Sequence, residues 1–334
     1  MNKSTLNTIK KVSKKSSILA IEKTVLIDSS GITATDLETW FLFALPDGWK
    51  VTGAGVVSLD ILQNTAGAKS VQIDFETGAG VFNIDGRTFK TSVIPADHFP
   101  TFPDTLNMLS DGQLIGNDVA GVLDFLSKDD LRPAMQGAYI GTDIVGTNGH
   151  ILRYIKSDYA GAPFILTRAG VELVKSSLKD VEKWKVKQDK YNVCLYANGV
   201  QIIARKIQET YPNYSAVIPK DNAGLITLDK KQFQSTLKSL DSVVNKNTKQ
   251  VELKTIDAGA VEISGRDVYL NTESTQQVSA NVSGLESAFR IGFNSKYLQT
   301  ICSNIAGDAV SMQLSQPNRA GVINDEILIM PVML

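Results

Sequence analysis

Three times along this chain a helix, a group of strands, a second helix and a second group of strands run in the same order and close on a proline. The first copy opens over residues 4–17, where Leu6, Ile9 and Val12 recur every three positions and Lys10, Lys11, Lys14 and Lys15 fall off that stripe, the pattern of an amphipathic helix. Strands are predicted over 19–27 and 31–35, a helix over 55–64, and strands over 70–75, 80–84 and 88–94 with Asp85-Gly86 as a hairpin turn. This copy closes at His98-Phe99-Pro100. The second has a helix over 118–126, apolar at Val119, Val122, Leu123 and Leu126, then strands over 137–140 and 143–146. Its second helix, over 168–178, is apolar at Val171, Leu173, Val174 and Leu178, and strands over 191–196 and 200–207 flank Asn198-Gly199 before Tyr211-Pro212. The third runs through a helix over 229–244, strands over 250–256 and 260–264, a helix over 295–304, and strands over 310–314 and 321–330. A Pro317-Asn318 turn separates those last two strands, and the copy closes at Met330-Pro331.

The closing prolines, Pro100, Pro212 and Pro331, stand 112 and 119 residues apart. A period this long means tandem domains and not a solenoid, with expected boundaries at 1–105, 106–218 and 219–334. Two helices that must bury their stripes on one face of at least four strands make each copy an α+β domain. Six helices on a common side would line one wall if the chain curves.

Composition agrees. At 334 residues the chain is too long for one ordinary core, and 43% apolar with 21% charged residues is a globular composition. No apolar run approaches the roughly 18 residues of a membrane span, and the N-terminus lacks the apolar core of a secretory signal. Cys194 and Cys302 are the only cysteines, which excludes a disulfide framework or zinc ribbon and leads to a cytoplasmic expectation. The net charge of −1 selects no partner by itself.

Chemistry is scarce. His98 and His150 are the only histidines, and His98 in its Phe-Pro turn reads as structural. The Gly141–Thr147 stretch has no phosphate-loop lysine, and Gly53-Ala-Gly55 has no third glycine. Asp129 and Asp130, adjacent on a helix, would point about 100° apart, and Cys194 alternates within a strand and reads as core. No catalytic residue, metal site or cofactor is expected.

Binding is better represented. Tyr211-Pro-Asn-Tyr-Ser-Ala-Val-Ile-Pro-Lys220 has two prolines that fix φ and push their predecessors to extended backbone, giving a stiff extended connector. Tyr211, Tyr214, Val217 and Ile218 are too apolar for a solvated linker, so it lies against something; a strand end packed on its own domain is the plain alternative. The predicted helices carry many basic residues, Arg168 among them, while Asp28, Asp60, Asp74, Glu76, Asp85, Glu252, Asp257, Glu262 and Glu273 crowd strands and hairpins. Each lysine alone is an ordinary solubilising charge. Together on a helix-lined wall they would attract a polyphosphate backbone without reading its bases. The wholly apolar end, Ile327 to Leu334, reads as an edge strand whose tip joins a hydrophobic pocket, or as core packing of a last strand.

Seven short segments in order carry a resemblance: residues 35–38 (TDLE), 93–100 (VIPADHFP), 132–137 (RPAMQG), 147–150 (TNGH), 211–220, 292–298 (GFNSKYL) and 330–334 (MPVML). Along essentially the whole chain, and least in the first domain, they resemble the bacterial DNA polymerase III β subunit, or sliding clamp, family. The resemblance implies the DNA-clamp fold and a head-to-tail homodimer closed into a ring around duplex DNA, without cofactor or membrane. It implies one hydrophobic pocket that takes short motifs from the replicative polymerase, the clamp loader and repair proteins. Carried over by position, the pocket comprises Met135, Thr147, Gly149, His150, Leu152, Pro212, Val217, Asn294, Tyr297, Ala320, Leu328, Met330, Pro331, Val332 and Met333. The DNA-facing set is Lys10, Lys11, Lys14, Lys15, Lys128, Arg132, Lys175, Lys179, Lys231, Lys238 and Lys296, and the ring interface pairs Phe89 and Thr91 with the partner's Val243 and Val244.

Departures are equally specific. Ile151, Ala216 and Met333 stand where the family usually has arginine, which implies a more apolar pocket rim. The first domain has no opening strand before its helix, Pro133-Ala134 replaces frequent DNA-facing tyrosines, and the chain is short, as in a divergent or phage-encoded member acting in a host cytoplasm. Two other classes stay open on the residues alone. One is a non-DNA interaction protein of three α+β repeats; the other is an enzyme using Asp36, Asp118 or Asp129.

Overall fold

The computed structural model describes residues 3–12, 20–76, 78–105, 107–179 and 181–334. In chain order come α1 (Lys3–Val12), β1 (Thr24–Asp28), β2 (Gly31–Thr35), β3 (Thr39–Phe43), β4 (Trp49–Thr52), β5 (Gly55–Ser58), α2 (Leu59–Gln63), β6 (Val71–Asp74), β7 (Gly80–Ile84), β8 (Arg87–Thr91), β9 (Leu109–Ile115) and α3 (Gly116–Gly121). There follow α4 (Pro133–Gln136), β10 (Ala138–Ile140), β11 (Asp143–Thr147), β12 (Ile151–Lys156), β13 (Phe164–Leu166), α5 (Arg168–Ser177), β14 (Lys183–Gln188), β15 (Asn192–Ala197) and β16 (Val200–Ile207). The last stretch holds β17 (Gly224–Asp229), α6 (Lys230–Leu240), β18 (Gln250–Asp257), β19 (Ala260–Asp267), β20 (Thr272–Ser283), β21 (Arg290–Asn294), α7 (Ser295–Asn304), β22 (Ala309–Leu314), β23 (Gly321–Ile323) and β24 (Ile327–Ile329). The chain divides into two compact units, one of residues 1–123, 136–144 and 156–210, the other of 124–135, 145–155 and 211–334.

In the first unit an antiparallel sheet runs β5-β1-β2-β3-β16-β15-β14-β9. Across its β3–β16 joint lie α1 and α5, which touch each other and the strands beneath them. The stripe Leu6, Ile9, Val12 is buried, as are Val171, Leu173 and Val174 of α5, so each helix turns its apolar face to the strands and its lysines away. A second, four-stranded sheet has the order β4-β6-β7-β8, with β8 at its edge. Asp85 and Gly86 (φ 48° and 83°) turn β7 into β8, and Asn198 and Gly199 (φ 48° and 75°) turn β15 into β16, as the two-residue hairpin chemistry predicts.

In the second unit β20 is a long strand shared by two sheets. Its first eight residues pair with β19, and residues 280–283 pair with β17. One sheet runs β21-β18-β19-β20, the other β20-β17-β22-β23-β24-β12. Phe233, Leu237 and Leu240 of α6 and Leu298, Ile301 and Cys302 of α7 fill the core with Ile263, Phe293 and Ile329. Each large apolar side chain there contributes roughly 1.5–3 kcal/mol by leaving water.

Several expectations are corrected. Residues 55–58 form β5 instead of opening a helix: Ser58 is the N-cap, accepting from Asp60 N, so the helix starts only at Leu59. The expected single strand over 321–330 is the hairpin β23–β24, because Asn324 and Asp325 both take positive φ (49° and 63°) and reverse the chain. The strand expected from residue 19 starts at Thr24, since residues 20–23 make a 3-10 turn, and α6 stops at Leu240. The connector is extended at Ile218 but coils as a 3-10 turn over Tyr214–Val217, since each proline restrains only its own φ and its predecessor.

Candidate functional site

Every residue carried over to the pocket falls in the second unit, and the turn after β11 is its most constructed part. Thr147 Oγ1 donates to Ile151 O (2.9 Å) and accepts from Gly149 N (3.1 Å). Asn148 Oδ1 accepts from His150 N (2.9 Å) and Ile151 N (3.0 Å). These bonds replace a backbone turn with side-chain oxygens. Gly149 has φ 87°, so its backbone favours glycine, and a Cβ there would sit 2.6 Å from Arg132 Nη1, the mobile tip of a side chain that would have to swing aside. The turn delivers the His150 ring parallel to Tyr297, with centroids 5.5 Å apart and planes at 18°.

Tyr297 is placed in turn by Asn294, the N-cap of α7, whose Oδ1 accepts from Lys296 N (2.9 Å) and Tyr297 N (3.4 Å). Burial raises the Tyr297 phenol above its ordinary pKa, so the neutral ring faces His150 at any physiological pH. The chain end completes the group. β24 pairs with β12 through Leu328↔Leu152, and Met330 N donates to His150 O (2.9 Å). Glu326 fastens this hairpin through Arg153 Nη2 (2.9 Å). Beyond Pro331 the backbone continues as an edge bridge, Val332 N to Gly292 O (2.9 Å). A Cβ at Gly292 would meet Val332 O at 2.7 Å, so the tail crosses there only because that position is glycine.

The connector is held as its composition demands. Tyr211 hydroxyl donates to Val145 O (3.2 Å), and burial pushes its phenol well above the usual range. Pro212 is half-buried and Val217 exposed. Met135, half-buried on α4, passes its carbonyl to Ser127 N (2.8 Å). Thr147, Leu152, Ala320 and Leu328 are buried and offer a ligand little surface. Two of the departures behave unlike a rim. Ile151 is buried in the core, and Met333, 82% exposed, lines a separate outward groove of about 740 Å³ with Leu334, Gln250 and Arg290. Only Ala216 of the three is an exposed position on the connector.

The cations divide. In the first unit Lys11 Nζ donates to Ser176 Oγ (2.7 Å), tying α1 to α5, with Lys10 half-buried and Lys175 and Lys179 exposed. Lys14 and Lys15 lie outside the described residues. In the second unit Lys128, Lys231 and Lys238 are exposed, but Lys296 is ion-paired to Asp241 (2.9 Å). Burial alone would raise the Asp241 carboxyl; hydrogen bonds from Lys296 and Gln299 overcome it and hold the group below its ordinary value. Arg132, grouped by sequence with the DNA-facing set, pairs with Asp129 (3.5 Å) and stands over Gly149. It belongs with the turn at Gly149, a placement its neighbours Pro133 and Met135 could have signalled.

Of the interface residues, Phe89 stacks on Phe82 (5.0 Å, 8°) on the edge strand β8, with Thr91 at the strand's end. Val243 is half-buried, whereas Val244 is 3% exposed and packs into the core against Gly265; a side chain so enclosed does not reach a partner. Neither histidine nor cysteine sits in a reactive setting. His98 is exposed in a 3-10 turn, and burial pushes the thiols of Cys194 and Cys302 up to about 11 and about 12. Among the described residues no cluster of His, Cys, Asp and Glu could hold a metal, and no helix is long and apolar enough to cross a membrane.

Residues 215–327 match the family model described as DNA polymerase III beta subunit, C-terminal domain. The beta sliding clamp of Caulobacter vibrioides (strain NA1000 / CB15N) is 23% identical, over 96% of this chain and 93% of its own length. That of Synechococcus elongatus is 21% identical over 91% and 88%. Among solved structures, the sliding clamp (DNA polymerase III subunit beta) of Bartonella birtlesii bound to griselimycin superposes with a TM-score of 0.83 at 20% identity, covering 99% of this chain and 97% of that one. The Thermotoga maritima β subunit gives 0.84 at 20% identity, over 99% and 96%. The fold is therefore the DNA-clamp fold. The chain's residues 215–327 match the C-terminal domain of the DNA polymerase III beta subunit, and the relatives that align along more than nine-tenths of the chain are beta sliding clamps.

Proposed function

We propose that this protein is a DNA sliding clamp, a processivity factor that encircles duplex DNA as a homodimeric ring and tethers a polymerase through the pocket around His150. The observation that carries the reading is the coincidence of a full-length clamp fold with the hydrogen-bonded His150–Tyr297 turn joined to the chain end. Three domains, at 1–105, 106–218 and 219–334, supply the ring's repeating arc. Two strand edges support closure: β8, paired only with β7 among the described strands, and the first eight residues of β20, paired only with β19. A joint between two different edges repeated by twofold symmetry closes after two copies.

No chemistry is required of such a ring. Enclosure supplies the grip, so weak, salt-screened attraction from lysines on α1, α5 and α6 suffices and leaves sliding unhindered. The pocket takes a short apolar motif from the replicative polymerase, clamp loader or another replication protein, and raises the polymerase's effective concentration at the primer end. Primer extension by a cognate polymerase, with the clamp loader and an excess of trap DNA, tests this. The clamp lengthens single-encounter products many-fold; product lengths unchanged by the protein would contradict the reading.

A further inference from the structure

The turn between β19 and β20 is unlike an ordinary hairpin tip. Such tips are usually Gly, Asn, Asp or Ser, yet this one presents Val268, Tyr269 and Leu270 at 77%, 91% and 65% exposure. It is also rigid. The buried Asp267 carboxylate accepts from Tyr269 N (2.8 Å), Leu270 N (3.2 Å) and Asn245 Nδ2 (3.2 Å). Thr272 Oγ1 then donates to Val243 O (3.1 Å), binding the tip to the loop after α6. Three apolar side chains held out on a fixed backbone lose little entropy on docking, the property of an interface anchor.

We propose that this tip anchors the joint between two copies of the chain, seating on the partner's residues 93–95 beyond the end of β8; the proposal rests on the homodimer reading and names its apolar contact. The tip leads directly into the open edge of β20, whose residues 272–279 carry Glu273 and no base. The open edge of β8 carries Arg87 and Lys90 and no acid. Antiparallel pairing of those edges, the stronger arrangement, sets the start of β20 beside the end of β8. The tip then projects over Val93, Ile94 and Pro95, where Ile94 is 39% exposed although its backbone is pinned to Val56. Apolar anchor meets apolar shelf, and the two unpaired strand edges meet beside it. The half-buried Val243 lies beside the same contact through Thr272; the buried Val244 takes no part.

Sedimentation equilibrium of the full chain and of Tyr269→Ser, Leu270→Ser and Ile94→Ser tests it, with thermal unfolding beside each. Tyr269→Ser weakens self-association about tenfold or more at unchanged unfolding temperature, since its side chain is solvated in one copy. Ile94→Ser weakens it similarly, and the double variant costs less than the two separate effects multiplied. A dimeric parent with Tyr269→Ser and Leu270→Ser both associating equally well overturns the anchor and leaves the dimer standing. A parent that stays monomeric at every concentration overturns the dimer reading as well. Should Tyr269→Ser also lower the unfolding temperature, Leu270→Ser decides between the same outcomes.

Discussion

The helical face of the first unit and the His150 turn of the second place function in opposite kinds of structure. On α1, Lys10 is half-buried, and Lys175 of α5 and Lys179 just beyond that helix are exposed; attraction of a polyphosphate backbone by such side chains needs no single geometry. Around His150, four hydrogen bonds from Thr147 and Asn148, a left-handed glycine and a stacked tyrosine fix one shape. A diffuse charged surface tolerates substitution one residue at a time, while a built site does not. The same difference separates lysines from one another, for Lys296 is spent on Asp241.

The largest effect that could break this contrast is at the chain end. Deleting residues 330–334 removes the Met330–His150 and Val332–Gly292 hydrogen bonds and should weaken binding of a clamp-motif peptide at least ~100-fold. Fluorescence anisotropy reads the peptide, and sedimentation should find the dimer intact. Next is Gly149→Ala, which forces a left-handed backbone and displaces Arg132. It should cost about 1–3 kcal/mol of stability and weaken the peptide about tenfold, measured by denaturant unfolding and anisotropy.

Charge substitutions come below these. Lys175→Gln with Lys179→Gln should flatten the salt dependence of DNA association, by up to roughly 0.9 in log–log slope for each phosphate left without its lysine. Lys296→Gln should change that slope less, because its charge is already paired. Equal slopes would show that the ion pair with Asp241 does not withhold Lys296 from DNA. Smallest is a pH effect. The folded-state pKa of Asp241 lies below the ordinary 3.8, so its contribution is complete above the unfolded value and fades as pH falls through the folded one. Asp241→Asn should flatten that acid limb in thermal melts taken below the ordinary carboxylate value of 3.8. It should not alter stability's slope near pH 7.

Legibility follows locality. Asp85-Gly86, Asn198-Gly199 and the α7 boundaries are readable because turn and cap chemistry lies within a few residues. The Thr147–His150 turn is recognisable for the same reason. β20 is not: in Thr272–Ser283 only Val278, Ala280 and Val282 are apolar, because its first half is an edge strand with little to bury. The exposed tip at 268–270 looks like ordinary strand composition, and nothing near Val244 tells that it turns inward. Charge alone groups Arg132 with the DNA-facing lysines, whereas its position over Gly149 depends on a neighbour seventeen residues away in sequence.

The central claim is that grip comes from enclosure, and residence on circular against linear DNA tests it most directly. Loaded onto a nicked plasmid and freed of unbound protein, the ring should remain through gel filtration. It should leave within minutes of a single-site cut, and stay if the new ends are blocked by bound protein. Equal retention on the circle and on the open linear form would contradict the account.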